Sequence, residues 1–424
     1  MYYLGIDFGT SGARGIVIDQ ERQVITQVKN DFVDVSPTQL ISIWQKTLAT
    51  LILQIPLKIR RQIKAIAING TSSTVLLCDA LGTPITTPIL YNDNRGKSKL
   101  TEIGAIAPAD SVVISATSSL AKLWWWYEQS YFANAVYFLH QADWLAFLLH
   151  GQLGISDYHN ALKLGYNLEK FCYPTWLQDL PFAHLYPQVL SPGTPVATVT
   201  PTISDRFQLA SDCLVCTGTT DSIAAFIASG ANQPGEAVTS LGSTLVLKLL
   251  SQTKISAPQY GIYSHRLGNL WLAGGASNTG GAVLKHFFDP QQLTNLSQQI
   301  DPNSPSPLEY YPLLSPGDRF PINDPHLLPQ LDPRPQDDIE FLHGLLESLS
   351  RIETLGYQKL QELGANKLTK VYTAGGGAKN LTWQKMRQRY LGVPVVSALY
   401  TAAAYGTALL ASSQLDFSCP PEAN

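Results

Sequence analysis

Between two apolar runs near its start, residues 2–6 and 15–18, the chain places Asp7-Phe8-Gly9-Thr10-Ser11-Gly12-Ala13-Arg14. The runs read as strands, and the segment between them reads as a turn holding a carboxylate, two hydroxyls and a guanidinium. Glycine at such a turn lets backbone N–H groups close on a ligand, and successive N–H groups form a nest for an anion. Gly12 serves that close approach, Thr10 and Ser11 add hydroxyl donors, and Arg14 adds a fixed positive charge. Asp7 has the chemistry to hold a hydrated magnesium ion. These residue types suit a phosphate with its cation. An ordinary hairpin would need the glycines but neither the acid nor the arginine.

A weaker copy of the layout lies at Ser240-Leu241-Gly242-Ser243-Thr244-Leu245. With Gly9 laid over Gly242, Thr10 and Ser11 fall on Ser243 and Thr244, while Asp7 falls on Ser240. Only the first copy therefore carries the acid. Two phosphate-facing turns with one carboxylate fit a nucleotide–metal cleft between duplicated lobes. A chance echo of a common hairpin is the competing reading. A third element, the strand 370–374, runs through Gly375-Gly376-Gly377-Ala378-Lys379-Asn380 into a helix at 381–391. Three glycines between a strand and a helix clear the side chains where a flat ring or a phosphate must approach. The sequence contains neither GxxxxGK[ST] nor a strand-linked GxGxxG, which excludes a P-loop and counts against a dinucleotide fold.

The elements that position these turns alternate between strand and helix, an α/β signature. Strands are expected at 63–70 and 75–79, and helices at 119–130, 141–150, 222–228 and 337–363, the last ending at Gly364. Proline thickens around 302–335, where a long irregular segment of surface or lid-like character is expected. At 424 residues the chain exceeds one core, so two domains are expected. Hydrophobic residues at 45% and charged residues at 14% describe a well-packed chain, and a net charge of −3 argues against nucleic-acid and anionic-membrane partners. No apolar stretch approaches the roughly 20 residues of a membrane span. Met1 leads directly into a strand without a signal-type flank, as expected of a cytoplasmic protein. The scattered cysteines include a lone Cys213-x-x-Cys216, which has no second pair for zinc and reads as buried thiols. Trp124-Trp125-Trp126 reads as packing rather than a stacking platform.

In their order and spacing these segments resemble the FGGY family of carbohydrate kinases, built on the actin-like ATPase fold. Asp7 to Arg14 resembles that family's first phosphate motif and Thr239 to Leu245 its second. Gly218-Thr219-Thr220-Asp221-Ser222 resembles its catalytic segment, Gly274 to Gly281 and Gly375 to Trp383 its adenosine-binding turns, and Ala402 to Ala408 its final helix. The stretch from Lys122 to Gln129 is close to the first family signature, departing at Trp126. The resemblance implies two duplicated actin-like ATPase (ribonuclease H-like) domains, 1–228 and 229–424, with a cleft between them. It implies ATP and Mg2+, with a small sugar as the other substrate and a monomer or homodimer as the assembly.

It also assigns roles. Asp221 precedes a helix and from spacing alone serves equally as a cap or as a base; the resemblance makes it the base that deprotonates the sugar hydroxyl. Asp7 is assigned to magnesium and to the substrate side of the site. Thr10, Ser11, Gly12, Arg14, Gly242, Ser243 and Thr244 are assigned to phosphates, and Gly281, Gly376, Gly377 and Asn380 to adenosine. Tyr91-Asn92-Asp93-Asn94-Arg95 matches the family's Trp-x-Asp-x-Arg segment with Tyr in place of Trp. Gly70-Thr71-Ser72-Ser73-Thr74 stands where many members carry bulkier side chains. Ser72, Ser73, Tyr91, Asp93 and Ser222 are the expected sugar contacts, beside Asp7 and Asp221. A plain serine turn, and an Asp93–Arg95 pair satisfied within itself, are the competing readings. The DFGTSGAR opening and the hydroxyl-lined turn resemble the ribulokinase-like branch, so D-ribulose is the expected substrate, with D-xylulose or a polyol such as glycerol next. A partner-binding actin-like ATPase or a sugar-binding pseudokinase is the reading from another class. The presence of both Asp7 and Asp221 speaks against a pseudokinase.

Overall fold

The opening strand β1 (Tyr2–Phe8) turns back at Gly9 into β2 (Gly12–Ile18), and β3 (Val24–Asp31) extends the antiparallel ladder. Across the other edge of β1 lies β4 (Ile63–Gly70), which pairs in parallel. The computed structural model describes residues 1–33 and 36–413. Two short pairs form sheets of their own, β5 (Val75–Cys78) with β6 (Tyr137–His140) and β7 (Ile155–Asp157) with β8 (Gln188–Leu190), while β9 (Pro195–Thr198) pairs with β10 (Leu214–Cys216) at the far edge of the main sheet. β10 and the two-residue β11 (Thr219–Thr220) both pair in parallel with β4. Seven of the eight residues of β4 are buried, the mark of a parallel strand covered on both faces.

The second half holds β12 (Glu236–Leu241), β13 (Leu245–Ser251), β14 (Tyr263–Leu267), β15 (Leu270–Ser277), β16 (Lys370–Ala374) and β17 (Val395–Ser397). Their sheet order is β14-β15-β13-β12-β16-β17. The run β15-β13-β12-β16-β17 repeats β3-β2-β1-β4-β10 in both order and strand direction. Strands end at Phe8 and Leu241 and resume at Gly12 and Leu245, so the overlay of Gly9 on Gly242 holds at both ends of the hairpin. The weak sequence echo is a duplicated topology. The pairing inside the two hairpins differs by one residue, since Phe8 faces Ala13 whereas Leu241 faces Leu245.

The chain forms two compact units, Met1–Ala228 joined by the segment beginning at Ala402, and Ser229–Thr401. The last helix, Ala403–Ala411, thus lies in the first unit, although the sequence boundary at 228 places it in the second half. Close packing explains this. A Cβ on Gly5 would sit 2.1 Å from the Ala404 carbonyl oxygen, and one on Gly406 would sit 1.9 Å from that of Ala224. The helix is therefore held between β1 and the helix Asp221–Ala228, and only small residues permit that approach.

In the second unit the helix Asp338–Glu362 begins at an Asp337 cap that accepts from Ile339 N, and it lays an apolar stripe of Leu342, Leu345, Leu349 and Ile352 into the core. Leu363 and Gly364 close it, Gly364 in the left-handed region at φ +103. The segment 302–335 has no helix or regular strand among its described residues, as expected, but it is not lid-like. Tyr310, Tyr311, Leu313 and Phe320 belong to the core. Buried Asp318 accepts from Ser277 Oγ, Asn278 N, Tyr311 OH and Arg319 N, which ties the segment to the end of β15.

Cys213 and Cys216 are buried free thiols, pushed up to about 12 and about 11 mainly by burial, and are accordingly unreactive. Cys419 lies outside the described residues. Trp126 is buried against Phe138, in line with a packing role. Substituting Gly406→Val is expected to unfold the first unit, at a cost above the ~1–3 kcal/mol of ordinary overpacking because the clash is with backbone. Thermal denaturation of the variant by circular dichroism checks this.

Candidate active site

Parallel strands bring their carboxyl ends to one edge, where loops carry chemistry. In the first unit that edge is set by register: Asp7 pairs with Asn69, and Asn69 pairs with Thr219. One rung across β1, β4 and β11 therefore holds an acid, an amide and a hydroxyl. Two residues beyond Thr219 the chain enters the helix Asp221–Ala228, so Asp221 leaves the same edge as Asp7. The Ser222 backbone N–H donates to Asp221 Oδ1 at 2.6 Å and orients that carboxylate. Asn69 Nδ2 donates to Thr407 Oγ1 at 2.6 Å, and Thr219 Oγ1 bonds His159 Nδ1 at 2.7 Å, which anchors the rung from behind.

The Asp7 carboxyl is raised to about 6, first by burial and then by the negative charge of Asp221; Arg14 and Asn69 oppose the rise. Its Oδ1 is buried and has no hydrogen-bond partner. An uncompensated buried oxygen beside a second carboxylate fits a site for a hard divalent cation. Magnesium binds through one or two carboxylates and keeps several waters, a demand that Asp7 with Asp221 nearby can meet. Thr10 and Ser11 are exposed at the hairpin tip, and the Gly9 N–H donates to the Gly12 carbonyl at 3.0 Å, closing the turn. Arg14 is a β2 residue directly across from Asp7 rather than a turn residue.

The end of β4 also carries the hydroxyl turn. Thr71 and Thr74 bond each other through their Oγ1 atoms at 2.5 Å, and the Gln141 side chain accepts from Thr71 N. Ser72 is half-buried, whereas the Ser73 side chain is buried with its Oγ unpartnered. Tyr91 presents an exposed ring while its N–H donates to Thr74 Oγ1 at 3.0 Å. Asp93 and Arg95 do pair, at 3.0 and 2.6 Å through Nε and Nη2, which holds the Asp93 carboxyl below its usual range. Arg95 lies over Trp125 at 4.7 Å, so a ligand would meet this pair already joined.

In the second unit a cavity of about 680 Å³ opens among Gly242, Ser243, Gly281, Gly376, Gly377 and Asn380. Six residues expected from separate motifs thus line one cavity. Thr244, expected beside them, is not among its lining residues. The Gly281 N–H donates to the Gly242 carbonyl at 2.9 Å and Ala282 N to that of Ser243 at 3.0 Å, joining two of the motifs. Asn380 caps the helix Leu381–Leu391 through Trp383 N and donates to Ser297 Oγ at 2.8 Å, so its side chain first serves to shape the wall. A Cβ on Gly376 would meet nothing within 4 Å, whereas one on Gly377 would strike Trp383 at 2.7 Å. Gly274 and Gly275 lie within β15 and give room to Leu247 and Phe320 instead.

Sequence reasoning passed over Lys285 and Lys379, both on the cavity wall. Lys379 sits within the Gly-rich motif, and Lys285 lies about one helical turn beyond Gly281, spacings that offered the signal. Asn69 was passed over because only strand pairing places it beside Asp7.

Two sheets of duplicated topology, each with a Gly-hydroxyl hairpin, define a protein of the actin-like ATPase fold. The chain matches the FGGY family of carbohydrate kinases, N-terminal domain, over residues 2–228, and its C-terminal domain over 237–415. It belongs to that family and is a carbohydrate kinase, and the family implies ATP as phosphoryl donor. A xylulose kinase of Haemophilus influenzae is 24% identical, the match covering 98% of this chain and 92% of the relative. Ligand-bound xylulose kinase and gluconate kinase, both from Lactobacillus acidophilus, superpose with TM-scores of 0.82 each at 18% and 17% identity. Each of these covers 98% of this chain and 90% of the solved one. Equal likeness to kinases named for different sugars shows the fold and leaves the substrate to the pocket. No helix among the described residues is long and apolar enough to cross a membrane.

Two outcomes are expected. Ionised Asp7 costs folding free energy above about pH 6, because the native carboxyl resists losing its proton; below its ordinary value of 3.8 both states are protonated and the cost disappears. Asp7→Asn should therefore raise the thermal midpoint near about pH 7.5 without added divalent cation, with a gain that shrinks as pH falls from about 6 to about 4. Differential scanning fluorimetry across that range checks the sign. Gly376→Leu should raise the KM for ATP about tenfold with the midpoint unchanged, whereas Gly377→Leu should lower the midpoint itself.

Proposed function

We propose that this chain is a pentulose kinase that transfers the γ-phosphoryl group of ATP to a sugar hydroxyl, with D-ribulose as the substrate favoured by its opening motif and small hydroxyl-lined turn. The observation that carries the reading is the common strand edge from which Asp7 and Asp221 both emerge. Asp221 accepts the proton as the sugar oxygen attacks phosphorus; the P–O bond to ADP breaks, and ADP leaves with that electron pair. Asp221 is held for this by Ser222 N–H. Asp7 would hold magnesium, whose charge would offset that of the phosphates and of the paired carboxylates. Thr10, Ser11, Gly12 and Arg14 in one hairpin and Gly242, Ser243 and Thr244 in the other donate to phosphate oxygens, and Gly281, Gly376, Gly377 and Asn380 border the nucleoside. Ser72, Ser73, Tyr91, Asp93 and Ser222 line the sugar side.

D-Xylulose is the second reading, supported by the names of the relatives. The two ketopentoses differ in configuration at one carbon, so the position of a few hydroxyl partners decides between them. A coupled assay of ADP release with D-ribulose, D-xylulose, glycerol and gluconate ranks them by kcat/KM, and the proposal requires D-ribulose to lead. Asp221→Asn should lower kcat by roughly 10²–10⁴-fold with sugar KM within a few-fold, as expected for loss of a general base. Sugar-dependent ADP release that survives Asp221→Ala at the wild-type rate would remove Asp221 from the mechanism.

A further inference from the structure

The antiparallel bridge between Val75 and Ile89 brings the hydroxyl turn and the Tyr91–Arg95 loop together with two 3.0 Å hydrogen bonds. That backbone ladder stops before either loop reaches its expected sugar-contacting residues. Beyond it the loops are joined by the Tyr91 N–H bond to Thr74 Oγ1 and by Lys122, from the helix Ser119–Tyr127. Its Nζ donates to the Ser73 carbonyl at 2.7 Å and to the Leu90 carbonyl at 2.7 Å. One amine thus ties the residue after Ser72 to the residue before Tyr91.

Three further observations bear on what the amine does. Lys122 is fully buried, and no carboxylate forms a salt bridge with it among the described residues. A buried lysine kept for charge would be paired; this one is spent on two neutral acceptors. Burial lowers its ionisation to about 7, with Asp93 opposing and Lys163 and Arg95 assisting, and either protonation state retains two N–H donors. Finally, Ser73 is held at φ +63, in the left-handed region that an L-residue enters reluctantly, and its buried Oγ has no partner to compensate. The carbonyl that Lys122 grips belongs to this strained residue.

We propose that Lys122 is a positioning residue for the sugar: its double hydrogen bond holds Ser73 in the left-handed conformation and sets the spacing between the Ser72–Ser73 turn and the Tyr91–Asp93 loop. The inference rests on the reading of those residues as the sugar side of the site. The amine does not touch the reacting atoms, and its effect is on sugar affinity rather than on the nucleotide or the chemical step.

Lys122→Met keeps the length of the stem and removes the donors. The expected result is a rise of about tenfold or more in sugar KM, with the KM for ATP and kcat each within about threefold of wild type, and substantial recovery in Lys122→Arg. A double-mutant cycle with Ser73→Gly adds a second readout. Glycine adopts φ +63 without strain, so the loss caused by Lys122→Met should be smaller on the Ser73→Gly background. The result that overturns the proposal is a folded Lys122→Met enzyme with unchanged sugar KM, or one whose sugar and ATP KM rise together without coupling to Ser73. Should Lys122→Met fail to fold, the Lys122→Met/Ser73→Gly enzyme carries the comparison against Ser73→Gly, and loss of folding there too assigns Lys122 to the fold alone. If wild-type protein turns over no sugar at all, the sugar-site reading fails, an outcome distinct from an active wild type with an indifferent Lys122.

Discussion

The parallel pairing of β4 with β1 on one side and β11 on the other is the constraint on which the edge carrying Asp7 and Asp221 depends. A strand buried on both faces cannot slip by one residue without exchanging the side chains on its two faces. Burial of Ile66 and Ile68 therefore fixes where Asn69 falls, and Asn69 fixes the level of both Asp7 and Thr219. The two acids lie more than two hundred residues apart in sequence, yet the register delivers both to one edge. The bonds from Thr407 and His159 secure that rung against rotation of its side chains.

The two duplicated halves use their central strands differently. In the second unit, Thr239 of β12 and Thr373 of β16 pair in register and join a buried network. There Arg387 donates to Glu353 at 2.6 and 2.7 Å and to Thr373 Oγ1 at 2.7 Å, while Thr239 Oγ1 also donates to Glu353. Charge is matched and hydrogen bonds are met, so the network supports the fold. In the first unit, Asp7 has a raised ionisation and an unpartnered oxygen, and Ser73 has a strained backbone. Both features lie in the half that carries the two acids, at positions expected to meet a ligand.

Short-range patterns were readable directly. The strands Ile63–Gly70 and Lys370–Ala374 and the helices Gln141–His150 and Leu381–Leu391 fall where their apolar runs and capping residues place them. The helix begun at Ser119 ends at Tyr127, three residues before the expected end. The hairpin echo was visible as a spacing, although its meaning as a duplicated sheet depended on strand order. The Pro-rich segment misled because proline reports local irregularity and not depth: Asp318 and Phe320 anchor it through contacts with β15 and the long helix.

Sequence by itself determined the family and singled out the Gly-hydroxyl turns and the two acids proposed for the site, because glycine, hydroxyl and carboxylate types at short spacing are set by local chemistry. Tertiary structure alone decided the company those residues keep. It set Asn69 beside Asp7, placed the last helix against β1 and buried Lys122 between two carbonyls. Each of these depends on backbone segments far apart in the chain approaching within a few ångströms. Such contacts are fixed by sheet register and close packing, which leave no periodic signature in a single sequence.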